Sequence, residues 1–340
     1  MINAILAPIF VFAIIVIVHE GGHFIMAKLT GMKVEEFAVG FGPQIFSGKK
    51  GDTLYSVRWI PLGGYNKIAG MEPGENEDPR AFSNRPVWAR LLVISAGSVF
   101  NILLAFFIFM SIFLINGIYT FKDDTVVGTV LENSSAYHAG ITMGDKILSI
   151  DGHPVDKWED IGKWVSDKAG RVLSVEIETV GEVKKVTVIP QDDGTGRAIM
   201  GITPHMEQEK VSFMQSIQLS IDRCMFILRQ IAEGIFSLIS GTSEGVAGPI
   251  GVARMAGNVA DSGMMALFTF IALLSLNLGI LNLLPIPLLD GGLLLLTLLE
   301  VVYGKKLPEK ALYYIQAVGI TIISFLFLLA MFNDLSSIFK

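Results

Sequence analysis

The amino-acid sequence predicts an α-helical polytopic membrane protein with four transmembrane helices, a membrane-associated β segment and one inserted soluble α+β domain. Three observations lead there. Of the 340 residues, 51% are hydrophobic and only 17% charged, which is too apolar for a soluble domain of this size. The apolar residues are bunched at about 5–27, 91–118, 264–284 and 311–332, and each stretch is long enough to cross a roughly 30 Å hydrocarbon core as a helix. Between the second and third stretches lies a long polar region of ordinary soluble composition.

Each element follows in order. The first apolar stretch lacks a basic leader and a small-residue cleavage site and runs into charged residues, so it reads as a retained helix. Residues 31–70 read as extended. Val34–Val39 and Leu54–Ile60 mix β-branched and aromatic residues, with turn signals at Gly40–Pro43 and Gly48–Asp52. Residues 71–86 form a polar, Pro-punctuated loop, and the second span carries Gly97 and Asn101 inside it. From about 122 to 205 the pattern changes to short strands, at Thr125–Val130, Lys146–Ile150, Val172–Glu178 and Val183–Ile189, with a helix over Asp160–Ser166. Residues 211–239 place Met214, Ile217, Ile221, Leu228, Ile235 and Ile239 on one helical face, and Gln215, Gln218, Asp222, Arg229 and Glu233 on another. A helix with that much charge on one face fits the membrane interface better than a span. A Gly-rich loop, Gly241–Gly263, precedes the third span. The chain thus divides into the first half of a membrane core (1–120), a soluble domain (121–205), an interfacial helix with its loop (206–262) and the second half of the core (263–340).

Charge gives a topology. The loop between spans one and two is rich in Lys and Arg, the loop between spans three and four carries Lys305, Lys306 and Lys310, and no Lys or Arg precedes Lys28. Positive loops stay in the cytoplasm while long domains cross regardless of charge, so both termini and the 122–205 domain are expected outside. The net charge of −6 and the lack of a basic run give no sign of a nucleic-acid partner. Cys224 is the single cysteine, which excludes an internal disulfide and a Cys-rich metal site.

His19-Glu20-Gly21-Gly22-His23 is the sharpest chemical signal. On a helix, His19 and His23 sit one turn apart on one face, so both imidazoles reach a single metal, and Glu20 lies beside them as a base for water. Burying such residues at the end of a membrane helix is costly unless they are paired or metal-bound. A catalytic zinc site takes three protein ligands and keeps one open position. His138, His153 and His205 all fall in the soluble domain, so a third ligand from the membrane region is a carboxylate, thiol or thioether. Asp290 is the best placed, in Asn282-Leu-Leu-Pro285-Ile-Pro287-Leu-Leu-Asp290-Gly291-Gly292, where two prolines break a helix. Glu300 is the rival, after an uninterrupted Leu run. With 211–239 not spanning, His19, His23 and Asp290 all fall toward the cytoplasmic side. Asn282 borders the helix break, while Asn101 and Asn277 also suit plain hydrogen bonding between helices.

In combination, these motifs, with Gly40-Phe41-Gly42-Pro43, Gly97-x-x-x-Asn101 and Asn277-Leu-Gly-Ile-Leu-Asn282, resemble the site-2 protease family, close to the bacterial regulator-of-sigma-E proteases, over nearly the whole chain. Ser98 and Leu293 depart from the family pattern without touching a proposed ligand. The resemblance implies a peptidase of the bacterial inner membrane, zinc held by His19, His23 and Asp290, and Glu20 as general base. It also implies roles near the substrate for Asn282, Asn101 and Asn277. Expected partners are the bilayer and single-span membrane proteins already trimmed outside, such as anti-sigma factors or remnant signal peptides. Residues 122–205 resemble a PDZ domain through Ala139-Gly140-Ile141, Gly144-Asp145 and Ile150-Asp151-Gly152, which implies a groove for a peptide end or a cap that holds nothing. Rival readings are a catalytically silent PDZ-containing scaffold, a transporter built on the break at Asp290, and an enzyme using another metal.

Overall fold

The structure, a computed structural model, describes residues 2–71, 78–122, 124–240, 248–305 and 308–338. Parts of the polar 71–86 loop, the first part of the Gly-rich loop, and Lys306 lie outside the described residues. Two compact units emerge, one made of residues 1–113 and 213–340 and the other of residues 114–212.

In the first unit, α1 (Ile2–Leu29) leads into two long strands, β1 (Val34–Lys50) and β2 (Thr53–Ile68), and α2 (Val87–Asn116) follows Pro86. Among the described residues, four helices are long and apolar enough to cross a bilayer: Ala4–Leu29, Val87–Asn116, Met264–Leu283 and Lys310–Ser336. The chain is accordingly a polytopic membrane protein.

β1 and β2 are bent on themselves. Phe37 stands opposite both Asn66 and Tyr55, and Ala38 opposite both Tyr65 and Ser56. Residues 34–39 therefore lie between 54–57 and 64–68, while 46–50 pair with 53–57. That order leaves 64–68 as an edge on the side of α1. The turn signal at Gly40–Pro43 does not end the strand. Gly40 and Gly42 adopt φ of 89° and 84°, so the strand bends there and runs on to Lys50.

In the second unit, β3 (Ile118–Phe121), β4 (Val127–Val130), α3 (Ser135–His138), β5 (Lys146–Ile150), β6 (His153–Pro154), α4 (Trp158–Val165), β7 (Leu173–Thr179) and β8 (Glu182–Val188) come first. The short strands β9 (Gln191–Asp192), β10 (Ala198–Ile199), β11 (Ile202–Pro204) and β12 (Met206–Glu209) close it. The central sheet has the order β6-β5-β7-β8. Its alternating apolar residues, Ile147, Ile150, Val175 and Ile177, bury with Ile161 and Val165 of α4 in one core.

Returning to the first unit, α5 (Phe213–Ile239) packs Cys224 and Ile227 against Ala105 and Phe109 of α2. It is followed by α6 (Pro249–Asp261), α7 (Met264–Leu283), α8 (Asp290–Tyr303) and α9 (Glu309–Ile338). The second part of the expected Gly-rich loop is thus a helix. Its start is set by Pro249 in the first turn, where a missing N–H is harmless. The carboxylate of Asp334 in α9 caps it from afar, accepting hydrogen bonds from the backbone of Gly248, Ile250 and Gly251 at 2.8, 2.9 and 3.0 Å.

Candidate metal centre

His19 and His23 lie in the second half of α1 and are nearly closed off from solvent, at 8% and 6% exposure. Their rings meet edge to face with centroids 4.8 Å apart, and their Nε2 atoms are 3.3 Å from each other. Asp290, the first residue of α8, brings Oδ2 to 3.4 Å from His19 Nε2 and 3.3 Å from His23 Nε2. One ligand atom from each of the three residues falls within 4.8 Å of the others. Asp290 Oδ2 is buried and makes no hydrogen bond of good geometry. A buried carboxylate oxygen left open toward two imidazole nitrogens is the arrangement a divalent cation satisfies, so these residues fit a bound zinc ion.

Two local features allow the meeting. On α2, a Cβ at Gly97 would touch His23 Nε2 and stand 2.6 Å from His19 Cε1, so only glycine lets α2 pass this close to the two rings. On the other side, Pro285 and Pro287 end α7, and the connection turns back through Leu288, whose φ of 79° is rare for a residue with a side chain. Added Cβ atoms at Gly291 and Gly292 would collide with the backbone carbonyls of Leu283 and Ile286. The double glycine thus lets the first turn of α8 sit under its own approach loop, which sets Asp290 at the end of α1.

Further contacts fix the rings. The Val93 carbonyl accepts from His23 Nδ1 at 2.8 Å, which puts the proton on Nδ1 and the lone pair on Nε2, facing Asp290. The Asn101 amide, fully buried, lies 3.4 Å from His19 Nδ1. The Asn282 amide lies 3.3 Å from His19 Nε2. Glu300, the rival ligand, is instead 2.7 Å from the Arg90 guanidinium, binding α8 to α2.

The three residues open on a cavity of about 300 Å³, lined also by Glu20, Tyr65, Asn66, Ile68, Met71, Asn282, Leu288 and Leu289. Asn101 and Asn277 are not among the lining residues. Residues 31–70 read as extended from the sequence, but Tyr65 and Asn66 of β2, which follow Gly63-Gly64, are not singled out there. The available signal is the double glycine: a Cβ at Gly64 would press on the Ala38 carbonyl and lie 3.7 Å from Glu20 Cγ, so the strand lies flat against α1. Tyr65 is braced from behind. Its hydroxyl donates to Glu36 at 2.7 Å and accepts from Arg58 at 2.6 Å, while Ser56 and Arg58 also donate to Glu36 at 2.7 Å each. Burial works to raise the Glu36 carboxyl, but the hydrogen bonds from Arg58, Ser56 and Tyr65 outweigh it and hold the group below the usual carboxylate range. Burial, and then the bond to Glu36, push the Tyr65 hydroxyl up.

Comparison with known proteins identifies a family. The model of peptidase family M50 matches residues 7–326. A protein of Clostridium acetobutylicum whose name carries the words zinc metalloprotease is 32% identical, over 97% of this chain and 96% of its own length. The zinc metalloprotease RasP of Geobacillus kaustophilus is 28% identical over 99% of both chains, and the regulator of sigma-W protease RasP of Bacillus subtilis is 26% identical over 99% of both. Among solved structures, the PDZ domain of the SdrC-like protein from Listeria monocytogenes matches 26% of this chain and 93% of its own, at 19% identity and a TM-score of 0.23. With a family match running through both halves of the site, the chain belongs to peptidase family M50 and is a zinc metalloprotease.

Proposed function

We propose that His19, His23 and Asp290 hold the zinc ion, that Glu20 is the general base, and that the substrates are membrane proteins cut within or beside a transmembrane helix. The observation that carries this reading is the convergence of two imidazole nitrogens and a carboxylate oxygen within 4.8 Å, in a cavity that Glu20 also lines. Bound there, zinc supplies a Lewis acid that polarises the scissile carbonyl and makes water acidic near neutral pH. Glu20 takes the proton of the attacking water and passes it to the leaving amide nitrogen. The Val93 carbonyl holds His23 in the tautomer that ligates through Nε2. Asn101 does the same for His19: a half-turn of its amide lets the buried, unpartnered Oδ1 accept from Nδ1–H. Asn282, whose amide lies at the cavity beside His19, donates to the substrate carbonyl.

A helical substrate is resistant because its carbonyls are already bonded, and in a bilayer no water replaces those bonds. The substrate therefore opens into an extended strand, for which the 64–68 edge offers backbone partners. One relative is named a regulator of sigma-W protease, which favours single-span proteins that restrain a transcription factor, trimmed first by another protease. Remnant signal peptides share the same chemistry. The 121–205 region acts as a PDZ-like module outside the cytoplasm of a bacterial cell, receiving or excluding substrate ends, and the loops rich in Lys and Arg face the cytoplasm.

Replacing Glu20 by Gln tests the mechanism. The variant should retain zinc and lose cleavage of a single-span substrate by a factor on the order of 10²–10⁴. Wild-type turnover in Glu20→Gln would remove Glu20 from the reaction.

A further inference from the structure

Asn66 has no part in holding the metal, yet it lines the same cavity as His19, Glu20, His23 and Asp290. Its amide atoms Nδ2 and Oδ1 are both closed off from solvent, and neither has a hydrogen-bond partner. An amide in that condition carries a standing penalty, because a buried donor and acceptor have given up water for nothing. The position itself makes no demand for an amide. It is a strand residue opposite Phe37, where a β-branched apolar side chain would satisfy the backbone better. The other amide on the cavity wall, Asn282, lies against His19. A partner for Asn66 therefore has to enter through the cavity.

What enters can be specified by chemistry. A carboxamide presents a donor and an acceptor side by side, which matches the C=O and N–H of a peptide backbone. Asn66 also belongs to the 64–68 segment, the edge of the sheet that runs past Glu20 through Gly64. A chain extended along this edge brings successive peptide groups to the cavity wall. We infer that Asn66 is a substrate-contacting residue that recognises the extended backbone, Nδ2 donating to a substrate carbonyl and Oδ1 accepting from a substrate N–H. Entry of the chain parts the wall that shields the amide, so the penalty of the empty cavity is relieved on binding and returns on product release. Because the contact is to backbone, it is indifferent to the substrate's side chains and selects for the unwound conformation. This inference rests on the reading of the cavity as the peptidase active site.

The test is a thermodynamic cycle on the purified, zinc-loaded full chain. One arm is Asn66→Val, with the isosteric Asn66→Leu read alongside so that a packing defect peculiar to one side chain does not decide the outcome. The other arm is a synthetic substrate series in which one backbone amide at a time near the cut is replaced by an ester, which removes the N–H. Both variants should keep full zinc content and an unchanged or higher Tm, while kcat/KM falls about tenfold. At one position the ester should slow the wild type by a similar factor and have no further effect on the variants. Unchanged kcat/KM, or ester and variant losses that multiply at every position, would overturn the assignment. Glu20→Gln separates the two levels: if it is inactive while Asn66→Val turns over normally, only this inference falls. If Glu20→Gln is active, the reading of the cavity falls with it.

Discussion

A single missing methyl group decides whether the two histidines and α2 can share the same space. At Gly97 a Cβ would stand 2.6 Å from His19 Cε1 and 2.8 Å from His19 Nδ1, with His23 Nε2 also in contact. These rings cannot retreat, since His23 is tied to Val93 and His19 is flanked by Asn101 and Asn282. Gly97→Ala should therefore displace a ligand ring and lower zinc affinity by about 10–100-fold, the range seen when a ligand's support is disturbed. Competition with a chelator reads this directly, and unchanged affinity would mean that α2 shifts at little cost. At this scale the cluster of His19, His23 and Asp290 was legible before any fold was known. His19, Glu20 and His23 announce themselves by spacing on one helix, and Asp290 by prolines and glycines that make no sense in an ordinary span. Tyr65 and Asn66 were legible only as part of an extended 31–70 segment, since no local pattern says which of its residues face the cavity.

The elements show which signals are local. The spans are written in runs of apolar residues and come out within a few residues of the expected limits. Helix α6 is different. Glycine and proline at 248 and 249 read as loop, and the residue that completes its first turn, Asp334, is contributed by the last helix. A cap supplied from so far along the chain leaves no mark in the local pattern. The bent β1–β2 sheet was half visible, since Gly40 and Gly42 signal a turn where the structure uses them to bend a continuing strand. Its bracing by Glu36 makes a prediction. The Glu36 carboxyl is held below its ordinary value of 4.5, so it binds protons less readily folded than unfolded. Its contribution to stability is then fully present above that ordinary value and is lost as pH falls through the lower, folded one. Hydrogen-exchange protection of residues 34–68, with the intrinsic pH dependence of exchange divided out, should fall as the pH is lowered through this window in the wild type. In Glu36→Gln the segment should exchange faster at neutral pH and show a weaker acid dependence. Identical acid profiles for the two would show that Glu36 does not brace the sheet.

At the scale of the whole molecule, the proposed site requires two distant segments to reach the same depth in a bilayer. Charge alone suggested it, since both the His19–His23 turn and Asp290 fall on the side of the Lys- and Arg-rich loops. Single cysteines placed at Lys49 and Lys184, in a chain lacking Cys224, should be labelled by an impermeant reagent from opposite sides of the membrane, Lys49 from the cytoplasm. Labelling of both from one side would undo the orientation. If the two halves of the chain close one zinc site, metal content registers it without any assay of cleavage. Purified wild-type protein and Glu20→Gln should each carry one zinc per chain, whereas Asp290→Ala, with its spans intact, should lose most of its zinc and its activity together. Full zinc occupancy in Asp290→Ala would contradict the shared site, because the ion would then be held without the second half of the chain.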